Sequence, residues 1–128
     1  MSHLIVTLLM VDTTDNVTVN DLNVWLRDNG GGFLNFFGHH RPKHVAPGPA
    51  APWGGYKAAN VDVWGGVLNT LDGRPIRSHI ARMPWREPDC VQLLMQAEED
   101  MYFHLWMIRQ RQMDLYTPEE ETGRLGWH

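Results

Sequence analysis

Residues 3–11 are apolar at nearly every position, with Leu4, Ile5, Val6, Leu8, Leu9, Met10 and Val11 interrupted by Thr7 alone. A strand with one wet face alternates apolar and polar side chains, so an unbroken run asks for cover on both faces and belongs in the middle of a sheet. At 128 residues there is room for one core and not two, since a chain of this size buries about two-thirds of its unfolded surface. A composition 43% hydrophobic and 20% charged also separates the chain from the disordered class, which is poor in apolar residues and rich in net charge. The expectation is a single α+β domain over residues 1–128.

The apolar run ends at the turn cluster Asp12-Thr13-Thr14-Asp15-Asn16. Thr18 followed three residues later by Asp21 resembles a capping box, and Leu22, Trp25 and Leu26 recur at helical spacing until Gly30-Gly31-Gly32, which predicts a helix over residues 18–29. The aromatic run Phe33-Leu34-Asn35-Phe36-Phe37 suits a strand or a buried turn. Residues 61–71 and 76–83 flank Asp72-Gly73, and an Asp-Gly pair between strand-like runs predicts a hairpin. Pro75 favours an edge position for the return strand, and Gly65-Gly66 marks a bulge or a close approach by another backbone or a ligand.

Glu87-Pro88-Asp89 has the acid and proline content of a helix start. Val91, Leu94, Met95, Met101, Leu105 and Ile108 follow at intervals compatible with one apolar helix face, and Arg109 and Arg111 suit its far end. On that count a helix over residues 88–110 is preferred to a hairpin of residues 90–97 and 101–108 turned at Glu98-Glu99-Asp100, in which Val91, Leu93, Met95 and Ala97 alternate with Gln92 and Gln96. The expected architecture is a mostly antiparallel sheet, strand 3–11 plus hairpin 61–71/76–83, with helices 18–29 and 88–110 packed on one face. Residues 117–128 form a C-terminal tail: Thr117-Pro118-Glu119-Glu120 starts a helix that Gly123 cuts short, and Leu125 and Trp127 dock on the domain itself or on a neighbouring copy.

His39, His40, Arg41, Lys43 and His44 stand together at the head of residues 38–57, where Pro42, Pro47, Pro49 and Pro52 argue for a long loop. Such loops are uncommon in compact domains and are usually functional or disordered. A net charge of −4 argues against extended, charge-driven nucleic-acid binding. Locally, however, Arg41, Lys43 and the imidazoles could hold a phosphate or carboxylate, and Trp53 and Tyr56 offer flat surfaces for a base or sugar. The ligand-binding set is therefore His39, His40, Arg41, Lys43, His44, Trp53 and Tyr56, with an anionic small molecule such as a nucleotide, or a protein partner, as its target. A plainer role for Trp53 and Tyr56 is to pin the loop to the core.

A metal would draw on His39, His40 and His44, with Asp12, Asp62 or His79 completing the set. Pro42 works against the helix that would align those histidines, so neither metal nor cofactor is expected. An enzyme would use His40 and His79 as acid and base, Lys43 to hold an oxyanion and Asp12 to orient an imidazole. No nucleophile elbow, phosphate loop or paired Cys-x-x-Cys is present. The expectation is a non-enzymatic binding protein, with a small histidine-based enzyme, metal-assisted or not, as the alternative. His104, inside Met101-Tyr102-Phe103-His104-Leu105-Trp106, reads as a core or boundary residue. One cysteine, Cys90, allows no internal disulfide, Met1-Ser2-His3 lacks the basic lead of a signal peptide, and the first apolar run is far shorter than the ~20 residues a membrane span needs. These features predict a cytoplasmic protein without a membrane partner, and a homo-oligomer is compatible with them.

Overall fold

The computed structural model describes residues 3–40 and 61–116. One six-stranded antiparallel sheet runs in the order β2-β3-β1-β4-β5-β6, with β1 at His3–Asp12, β2 at Asn35–His40, β3 at Val61–Thr70, β4 at Gln92–Ala97, β5 at His104–Arg109 and β6 at Gln112–Leu115. Helices α1 (Asn16–Asn29) and α2 (Arg74–Arg82) complete the α+β fold. The first six elements have the split βαβ, or ferredoxin-like, connectivity, and the β5–β6 hairpin extends it beyond β4. That connectivity serves many unrelated activities, so function has to be argued from a site.

β1 is central, as its composition demands, paired with β3 on one side and β4 on the other. Its odd-numbered residues Ile5, Leu9 and Val11 join Val19, Leu22 and Leu26 of α1 and Ile76 and Ile80 of α2 in the core, together with Leu68, Leu93 and Met95 from the neighbouring strands. Each fully buried leucine or isoleucine contributes about 1.5–3 kcal/mol by leaving water. Both helices therefore cover one face. The even-numbered residues Leu4, Val6, Leu8 and Met10 fall on the other face, in register with Asn69, Val67, Gly65 and Val63 of β3.

α1 begins two residues before the expected start. A short 3-10 turn, Thr13–Asp15, precedes it, and the Asp12 carboxylate caps that turn by accepting from the Thr14 amide at 2.9 Å. The helix ends at Gly30, whose N–H donates to the Leu26 carbonyl at 2.7 Å. Gly31 then takes φ +65 hard against β3, where a Cβ would come within 1.9 Å of the Asn69 carbonyl oxygen. Gly66 answers the close approach read from the sequence: a Cβ there would lie 2.4 Å from the Phe33 carbonyl oxygen. The aromatic run leads into β2, whose register shifts between Phe36 and Gly38. Residues 38–40, read with the loop, are thus the end of a strand, while residues 41–57 and the tail 117–128 lie outside the described residues.

Two expectations are overturned. Residues 76–83 do not return as a strand; they belong to α2 and its C-cap. The Asp72 side chain accepts from the Arg74 amide at 2.9 Å, an Asx turn that opens the helix, and Gly73 sits at φ −79, which a type I′ hairpin turn excludes. Ile76 and Ile80, four apart, are both buried, which is helical and not strand spacing. The long helix over residues 88–110 is likewise absent. A 3-10 turn at Pro88–Cys90 leads into β4, and the competing hairpin reading is the correct one. Its turn is closed by the Ala97 amide donating to the Asp100 carboxylate at 3.0 Å and the Asp100 amide to the Ala97 carbonyl at 3.0 Å. The free edge of β1 needs a strand, and Val91, Leu93 and Met95 supply its buried face.

Candidate functional site

The residues singled out from the sequence fall in different places. Arg41, Lys43, His44, Trp53 and Tyr56 lie outside the described residues. His39 and His40 end β2, their backbones in register with Asp62 and Val61. His79, on α2, stacks on Trp25 of α1 with ring centroids 3.9 Å apart and planes 5° from parallel. Burial there, with Arg82 adding to it, pushes the imidazole below its ordinary value and favours the neutral form. Asp12 is occupied by Thr14, whose hydroxyl donates at 2.6 Å; this bond and the Thr14 amide hold its carboxyl below the usual range. No described contact joins His79 to Asp12. Among the described residues, no group of three or more His, Cys, Asp or Glu is placed to hold a metal ion.

Two fully buried carboxylates are satisfied internally. Asp62 accepts from Asn16 Nδ2 and from Thr13 Oγ1, and Asn16 Oδ1 in turn accepts from Trp64 Nε1 at 3.0 Å. Asp15 accepts from the Arg86 amide at 2.8 Å and the Glu87 amide at 3.0 Å. Such bonds fix the start of α1 against β3 and against the connection into β4. They leave little of either group for a ligand. The Cys90 thiol is raised by burial first and then by the nearby carboxylates Asp12, Glu87, Asp89 and Asp15, so it stays protonated and is a poor nucleophile.

The opposite situation holds between α2 and the β5–β6 hairpin. A groove of about 510 Å³ there is lined by Arg74, Arg77, Arg82 and Arg111, with Ser78 and Trp106 among its walls and no carboxylate. Arg74 is neutralised by Asp72, its Nε donating at 2.9 Å. Among the described residues, no carboxylate stands within salt-bridge distance of Arg77, Arg82 or Arg111. Arg77 is half-buried, its guanidinium 4.2 Å from the centroid of the Trp106 ring. Burial lowers its pKa against the opposing pull of Asp72, and it remains charged. A flat aromatic face fixes the orientation of the guanidinium while leaving its edge donors unpaired.

The hairpin tip carries the third arginine at a conformational cost. Gln110 at φ 51 and Arg111 at φ 62 form the two-residue turn between Arg109 and Gln112. Left-handed backbone costs a residue with a Cβ about 1–2 kcal/mol. The turn aims Arg111 at α2, where its Nη2 donates to the Arg82 carbonyl at 3.5 Å. Strain of this kind collects where a side chain has to be presented in a set place.

A smaller cavity of about 200 Å³ adjoins the groove, sharing Arg77 and Trp106 and lined also by His104 and the acidic side chains Asp72, Glu99 and Asp100. His104 Nε2 lies 3.7 Å from Asp100 Oδ2. Sequence reading missed both cavities, and for a physical reason. Arg74, Arg77, Ser78 and Ala81 share one face only if residues 74–82 are helical, and the strand reading scatters them over two. Compared with known protein families, with curated proteins and with solved structures, the chain matches none.

Proposed function

We propose that the protein binds an anionic small molecule of the phosphate- or carboxylate-bearing class, without turning it over, in the groove between α2 and the β5–β6 hairpin. The observation that carries this reading is Arg77: a half-buried, oriented guanidinium with no carboxylate partner among the described residues, flanked by Arg82 and Arg111 in a groove free of acidic side chains. In a chain of net charge −4 such a grouping opposes the global field, and its mutual repulsion is relieved when an anion enters. Guanidinium groups present paired donors that match phosphate and carboxylate oxygens. The basic segment at Arg41 and Lys43 remains a second part of the proposal, and a cytoplasmic location, resting on the single cysteine, belongs to the same reading.

Titration of the full chain with inorganic pyrophosphate and with a nucleoside monophosphate, followed by tryptophan fluorescence and calorimetry, tests it. Saturable binding is expected, weakened about a hundredfold or more when Arg77 and Arg111 are both replaced by Gln, since each charge-assisted bond is worth about 1.5–3 kcal/mol. Absence of saturation with either probe, or identical affinity in the double variant, overturns the reading.

A catalytic reading draws support from His104 and Asp100 beside the same arginine, an imidazole and a carboxylate on one cavity wall. It requires turnover that His104→Gln abolishes while the bound anion keeps its affinity.

A further inference from the structure

The face of the sheet opposite the helices presents an apolar centre, edged by the uncharged amides of Asn69, Gln92 and Gln96. Leu4 is 47% exposed, Val6 41%, Val67 51% and Phe37 66%, and no described residue lies over them. Phe37, the bulged residue of β2, lays its ring on Gly65, where a Cβ would meet it at 2.8 Å, so the aromatic side chain extends this surface across β3. On the far side Leu94 of β4 and Leu105 of β5 stand opposite each other in register. Within β1, β3 and β4 every outward position between Leu4 and Met10, Val63 and Asn69, and Gln92 and Gln96 is uncharged. Among the described residues, charged groups on this face stand at the rim, at Arg109, Asp114 and Glu98.

We infer that two copies of the chain pack this face against its own counterpart about a two-fold axis, forming a helix–sheet–sheet–helix sandwich. Three observations favour a second copy over another occupant. First, β1 is apolar on both sides although helices roof only one, and a strand of that composition is built for burial on both faces. Second, a face with an apolar centre and uncharged amides at its border is complementary to itself. An isologous contact demands that property, whereas a foreign partner would leave a matching pattern of charge or hydrogen bonding on the surface. Third, the size is right. Five strands at about 4.8 Å spacing and about eight residues at 3.4 Å give roughly 650 Å² in projection, which side-chain relief brings near the ~800 Å² per partner of a standard interface. Face-to-face sheets about 10 Å apart then interdigitate Val6, Val67 and Leu105 with their mates. Among the described residues the rim carries one basic side chain, Arg109, and no basic cluster of the kind an anionic membrane surface would select.

Sedimentation equilibrium on the full chain from ~1 to ~100 μM tests the dimer. A species of twice the 14.7 kDa chain mass is expected. Val6→Lys combined with Val67→Lys should weaken the association at least about a hundredfold while far-UV circular dichroism is unchanged, because each change places an unpaired ammonium in a desolvated interface. Val24→Lys, on the exposed side of α1, should leave the dimer intact. A monomer mass for the unsubstituted chain across the range overturns the inference, whatever the folding of the variants. So does a dimer that survives both lysines in a folded variant, or a monomer that floats with phosphatidylcholine vesicles.

Discussion

The molecule keeps its buried carboxylates and its groove arginines under opposite regimes. Asp15 and Asp62 are removed from water and every bond they accept comes from the chain itself, from the Arg86 and Glu87 amides, Asn16 and Thr13. Arg77, Arg82 and Arg111 stand together at the other side of α2 with no acidic counterpart in their groove. A charge whose hydrogen bonds are spent inside the fold is structural, and its loss is felt as instability. A charge held in place with donors to spare costs the fold little to remove, and its loss should be felt in binding.

The largest effect should come from the first group. Asp15→Ala leaves the Arg86 and Glu87 amides without their acceptor and is expected to lower the unfolding free energy by about 3 kcal/mol in a urea titration. A loss below about 1 kcal/mol would erase the distinction between the two regions. Next, Arg77→Met keeps the apolar stem against Trp106 while removing the charge. Pyrophosphate affinity should fall about tenfold, with stability changed by no more than about 1 kcal/mol. Destabilisation on the scale of Asp15→Ala would make Arg77 another structural charge.

A smaller effect separates strain from binding at the hairpin tip. Gln110→Gly and Arg111→Gly each relieve a left-handed residue and should each stabilise by about 0.5–1 kcal/mol, but only the second should weaken anion binding. Parallel behaviour of the two variants would show that the turn serves the fold alone. The smallest expected change is with pH. Because burial lowers the His79 pKa in the folded state, the unfolded chain binds the proton more readily; stability is complete above the ordinary value near 6.5 and is lost as pH falls through it. His79→Phe, which keeps the stack on Trp25, should flatten that part of the melting-temperature profile between pH 7.5 and 5.5.

How much of this could be read from sequence depended on where each decision is made. β1 and α1 were legible because one apolar run and one heptad of spacing fix them locally. α2 is hidden from a sequence reading because Asp72-Gly73 carries a strong hairpin signal, whereas Ile76 and Ile80, four apart, mark a helix only once both are seen to be buried. The strands β4 and β5 were decided by the empty edge of β1, a fact some eighty residues away in the chain that no local window contains. The site followed the same rule. The basic cluster at His39–His44 was visible as composition, whereas the arginine groove exists only after α2 is a helix and the β5–β6 turn has brought Arg111 to it.

The position of β1 at the centre of the sheet has a consequence for the chain as it is made. This strongly apolar strand leaves the ribosome before either neighbour exists: β3 starts at Val61 and β4 at Gln92. At about 5–20 residues per second, both of its edges stay open for seconds during synthesis. Until β3 and β4 arrive the strand is an aggregation seed with bare edges, and α1, complete by Asn29, can shield one of its faces in the meantime.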